Sequence, residues 1–108
     1  MPRLTLLLLF CSFLSFGMQA QVNGGKIKDS AADYFKNAKY AEALNLYEKY
    51  QRFAEEDLDI IARIGECQYH LSQIPEAIKN LKIAVANQKK PDPRNLFYLA
   101  RAQHAASK

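Results

Sequence analysis

Cys67 and His70 stand three residues apart, a spacing that puts two side chains on one face of a helix and within reach of a shared metal ion. Two ligands make a weak centre, because zinc takes three or four protein ligands and no other Cys/His pair here has helical spacing. A cysteine among the small residues of a packed helix is expected to be buried and inert. Glu55, Glu56, Asp57 and Asp59 offer oxygen ligands to a cation. They sit at the loop and first turn entering a helical run that begins at Leu58, where acidic residues favour the positive end of the helix. The chain has no phosphate-cradling glycine loop, no nucleophile elbow and no paired carboxylates that fall in one pocket. These residue types predict a protein that is not an enzyme and needs no cofactor or metal.

The elements that would position these residues follow from an internal repeat. Residues 37–50 superpose on residues 71–84 when shifted by 34 positions. Each copy has a short break, an apolar residue (Tyr40, Ile74), an alanine three residues on (Ala43, Ala77), and then apolar residues at helical spacing. Ala31 and Gly65 are equivalent small residues in the helix before each break. A third such helix follows Pro91-Asp92-Pro93, one residue later than a strict period allows. The spacing predicts helices over Ile27–Asn37, Ala41–Ala54, Leu58–Leu71, Pro75–Asn87 and Pro93–Ala106, with Pro75 and Pro93 in first turns and Asp92 as a cap.

Helices approach to about 8 Å only where side chains shrink at the crossing. Ala31, Ala43, Gly65, Ala77, Ala84 and Ala100 are the expected contact points. Tyr34, Tyr40, Leu44, Tyr47, Ile61, Ile64, Ile74, Leu81, Leu96 and Leu99 are expected to fill the seam around them.

The first 20 residues differ from the rest. Arg3 is the only charge before Lys26, and Leu4 to Phe16 is an almost unbroken apolar run, shorter than the roughly 20 residues that span a bilayer. This predicts a cleaved signal peptide over 1–20, with cleavage after Ala20 or, alternatively, Gly17. Cys11 follows the bulky Leu9 and Phe10, which argues against lipidation there. Residues 21–25 read as a flexible leader and 26–108 as one domain. Without Arg3 the net charge falls from +4 to +3, and the charges are interleaved, which points away from nucleic acid. Cys67 alone remains beyond the signal, so packing rather than a disulfide must hold the fold.

The small residue in each first helix, the aromatic near the turn and the break-Tyr/Ile-x-x-Ala of each second helix resemble the tetratricopeptide repeat. The family's break glycine is Ala38 and Ser72 here. The resemblance implies an all-α fold of antiparallel helix-turn-helix units stacked as a short right-handed solenoid. About 2.5 repeats are expected, over roughly 24–57, 58–92 and an incomplete 93–108. More loosely, the apolar N-terminus followed by Lys28-Asp29-Ser30-Ala31-Ala32-Asp33-Tyr34-Phe35 and then by residues 92–104 (Asp-Pro-Arg-Asn-Leu-Phe-Tyr-Leu-Ala-Arg-Ala-Gln-His) is similar to the N-terminal repeat region of some Gram-negative envelope proteins that continue into a β-propeller and an outer membrane protein A-like domain. A fragment of a longer exported protein, periplasmic or associated with the outer membrane, is therefore expected, the alternative being that the last helix caps the stack.

Arrays of this family bind extended peptides or partner domains on the concave surface lined by the first helix of each repeat. By alignment, that surface carries Lys28, Phe35, Lys36, Asp59, Ala62, Glu66, Tyr69, His70, Arg94, Phe97, Arg101 and His104. Aromatic residues among mixed charges suit a binding hot spot; the competing reading is interior packing and a solvated surface. The subclass that clamps a C-terminal carboxylate is disfavoured, since Ala32 replaces an expected asparagine. The resulting expectation is a protein or peptide partner, with a structural spacer as the alternative.

Overall fold

The structure, a computed structural model, describes residues 24–54 and 56–108, so the predicted signal peptide lies outside the described residues. The described residues are helical and contain no strand. Helix α1 covers residues 24–36, α2 Tyr40–Gln51, α3 Leu58–His70, α4 Ile74–Asn87 and α5 Pro93–Ala106. These bounds lie within about one turn of the spacing-based expectation. The main difference is at the start, where Gly24 and Gly25 are helical rather than leader. Gly24 is buried, and a Cβ there would lie 3.9 Å from the Phe53 ring, so packing against the turn after α2 favours helix at this point.

Helices α1 and α3 end in the same way. At the end of α1, Lys39 N–H donates to Tyr34 C=O at 2.8 Å and Ala38 N–H to Phe35 C=O at 3.0 Å. At the end of α3, Gln73 N–H donates to Gln68 C=O at 2.8 Å and Ser72 N–H to Tyr69 C=O at 3.1 Å. Both are Schellman closures, which satisfy the last helical carbonyls by way of one left-handed residue. Ala38 (φ 59°) and Ser72 (φ 63°) are those residues, 34 positions apart. Side chains with a Cβ are strained there by about 1–2 kcal/mol. Ala38→Gly and Ser72→Gly are each expected to raise the unfolding free energy by roughly 0.5–1 kcal/mol after allowing for glycine's unfolded-state entropy. Urea unfolding measures this, and a drop in stability at either site would contradict the left-handed turn.

Asp57 accepts from Ile60 N–H at 3.3 Å and Asp92 from Arg94 N–H at 2.9 Å, capping α3 and α5. Their separation of 35 places the extra residue in the loop after α4. Helix α3 is the central element and packs on α2, α4 and α5, while α4 also packs on α5. One core cluster joins Ala31, Ala43, Leu44 and Tyr47 to Ile60, Ile64 and Cys67 of α3. Another joins Ala77 and Leu81 of α4 to Ala102 of α5. Gly65 lies at the α3–α4 crossing, where an added Cβ would meet Leu81 Cγ at 2.8 Å, Leu81 N at 3.2 Å and Ala77 O at 3.3 Å.

Three residues expected in the seam are elsewhere. Ala100 is exposed and Ala102 takes the fully buried position against α4. Leu96 is 46 % exposed and Tyr34 37 %. Ala100 and Leu96 lie on a face of α5 that no described helix covers. Tyr34 lies on an outer face of α1, with Lys39 over its ring at 6.0 Å. Among the described residues no helix is long and apolar enough to cross a membrane.

Candidate partner-binding surface

Glu66, in the middle of α3, is only 1 % exposed, and burying an ionised carboxylate requires charged partners. Arg94 of α5 is one of them and makes two hydrogen bonds: its Nε donates to Glu66 Oε2 at 3.0 Å and its Nη2 to Oε1, a bidentate fork. Arg63 donates through Nη1 to Glu66 Oε2 from one turn earlier on α3, and through Nη2 to Asn95 Oδ1 at 2.9 Å. Asn95 donates in turn to Gln88 Oε1 at 3.3 Å. The network ties α3 to α5, and among the described residues no buried side-chain polar atom lacks a partner. The bond to Glu66 holds the Arg94 guanidinium above its usual range.

Aromatic rings enclose these guanidiniums. Arg63 lies 5.8 Å and Arg94 5.5 Å from the Phe35 ring of α1, and Arg94 is also 5.6 Å from Tyr98. Arg101, about two turns further along α5, lies 5.5 Å from Phe97 and 6.0 Å from Tyr69, whose hydroxyl accepts from Arg101 Nε at 3.0 Å. Cations over ring faces are attracted by the ring quadrupole. The result is an alternation of rings and guanidiniums that runs from α1 across α3 to α5. His70 stacks on Tyr40 at 4.0 Å. Burial is the main cause that lowers its pKa, so the ring is neutral at neutral pH and adds no positive charge there.

Of the residues nominated from sequence, Phe35, Glu66, Tyr69, His70, Arg94, Phe97 and Arg101 come together in this array. His104 adjoins it in a shallow cleft of about 620 Å³ shared with Tyr69, Phe97 and Arg101. Lys28 lies apart, 3.7 Å from Asp57 and over the Tyr50 ring. Asp59 accepts from Gln88 Nε2 at 3.3 Å at the loop end of α3. Lys36 is exposed, and Ala62 is fully buried, so Ala62 is core rather than surface. Arg63, Asn95 and Tyr98 belong to the array and escaped the alignment. The Arg63–Glu66 spacing of three residues was the available signal.

Cys67 is fully buried, and burial together with the Glu66 charge pushes its thiol up to about 12. At neutral pH that leaves essentially no thiolate, which is the nucleophilic and metal-binding form.

The described chain is thus an all-helical protein with a cationic, aromatic face on α1, α3 and α5. Compared with known protein families, curated proteins and solved structures, the chain finds no match.

Proposed function

We propose that the chain is a non-catalytic binding scaffold of the tetratricopeptide-repeat class, exported to the periplasm or outer membrane, which holds a protein or peptide on the face built by α1, α3 and α5. The observation that carries the binding reading is the row of exposed or half-exposed rings and guanidiniums contributed by three separate helices. Arg and aromatic side chains are the usual hot-spot residues of interfaces. The repeat reading rests on the two Schellman closures 34 residues apart and on the small residues at the crossings. Export rests on the N-terminal sequence alone.

One observation favours a spacer with no tight ligand: Arg63 and Arg94 are already satisfied internally by Glu66. The test should therefore avoid them. Peptides selected from a random displayed library on the chain should bind at least tenfold more weakly to Phe97→Ala and Arg101→Ala, since hot-spot truncations cost about 2 kcal/mol or more. Lys49→Ala and Lys82→Ala, on α2 and α4, should leave binding unchanged. Failure to enrich any peptide, or equal binding by all four variants, would favour the spacer.

A further inference from the structure

The chemistry of the ligand can be read from which charges on the face are committed. Three guanidiniums face one carboxylate: Arg63 and Arg94 both donate to Glu66, and Arg101 has no carboxylate partner among the described residues. The acids at the starts of α3 and α5 lie away from Arg101 and are occupied there. Asp57 caps α3 and pairs with Lys28, Asp92 caps α5, and Asp59 accepts from Gln88. Arg101 spends its Nε on the Tyr69 hydroxyl, a bond that fixes the plane of the guanidinium between Tyr69 and Phe97. Both of its Nη groups make no hydrogen bond to a described residue. Beside it, Phe97 is 53 % exposed, and no Asp or Glu side chain lines the cleft they share.

Resting on the binding reading above, we propose that the partner segment is an acidic peptide, with one carboxylate seated on the Arg101 fork and a neighbouring apolar side chain packed against Phe97 and Tyr69. Charge complementarity carries this choice. A planar guanidinium with two unspent donors matches a carboxylate. Nucleic acid fits less well: the cleft offers only Arg101 and Lys108 as cations, which neutralise few phosphates.

Fluorescence anisotropy of the full chain tests the proposal with two labelled peptides, Ser-Gly-Asp-Leu-Phe-Glu-Asp-Gly-Ser and its Asn/Gln counterpart. The acidic peptide should bind about tenfold more tightly than the amide peptide, the range expected for a charge-assisted pair. Arg101→Gln should bring the two within about twofold of each other. Phe97→Ala should weaken both peptides and preserve their ratio. Circular dichroism should show both exposed-site variants folded. Equal binding of the two peptides through Phe97 would overturn the acidic preference while leaving a peptide scaffold standing. An acid preference that survives Arg101→Gln would place the carboxylate elsewhere and overturn the seat. Arg101-dependent binding of a short oligothymidylate, tighter than the acidic peptide, would replace the proposal with a phosphate ligand. Binding of neither peptide, when library selection also yields none, would remove both readings.

Discussion

Gly65→Ala is expected to destabilise the chain by roughly 1–3 kcal/mol, the usual cost of forcing atoms into a packed crossing. In an isolated helix the same change would be favourable by about 0.5–1 kcal/mol, because alanine is the better helix former. The sign reverses here because two of the three atoms nearest the new methyl group are backbone: Leu81 N at 3.2 Å and Ala77 O at 3.3 Å. The third, Leu81 Cγ at 2.8 Å, belongs to a side chain with no exposed surface and nowhere to move. Helices α3 and α4 must therefore separate. Gly65→Leu should go further and abolish cooperative unfolding, whereas Ala100→Leu, at the exposed position of α5, should change stability by less than about 0.5 kcal/mol. Thermal and urea melts of the three variants measure this. A Gly65→Ala protein more stable than the parent would show that the crossing is looser than the structure has it.

Glu66→Gln is expected to cost about 2 kcal/mol, by leaving Arg63 and Arg94 side by side without the anion that both bind. Breaking a fully buried pair costs about 3–5 kcal/mol, and the lower figure reflects an Arg94 side chain that is half exposed and rehydrates on losing its partner. Glu66→Ala should cost more, since it also removes buried volume. Chemical denaturation of the single and double variants with Arg94→Ala provides the check. Additive losses, with no coupling between positions 66 and 94, would contradict the bidentate contact.

Much of the helical layout was legible from the residues alone. Apolar spacing and the 34-residue shift gave five helices near their observed ends, and the proline and aspartate signals gave the start of α5. Small residues marked Ala31, Ala43, Gly65, Ala77 and Ala84 as buried contacts. Ala100 was misjudged because periodicity equates it with Gly65 without saying whether a helix covers that face; Ala102 packs on α4 instead. The left-handed turns were half visible, since Ala38 and Ser72 stood where the repeat would place glycine, and residue type alone would not have put either at positive φ. Glu66 was nominated as a surface residue and is a buried anion, because its partners come from 28 residues away on another helix and from a neighbour that the alignment skipped. Long side chains reach across helices in ways that position along the chain does not reveal, so Phe35, Tyr69, Arg94, Phe97 and Arg101 were identifiable as a group while Arg63, Tyr98 and the pairing were not.

The most direct measurement is a titration of the isotope-labelled chain with a library-selected peptide, followed by NMR at residue resolution. Shift changes should concentrate at Phe35, Tyr69, Phe97, Tyr98 and Arg101 and leave Leu46, Lys82 and Val85 unmoved. Saturable binding whose largest changes fall on α2 and α4 would place the partner on the opposite side and contradict a binding face built by α1, α3 and α5.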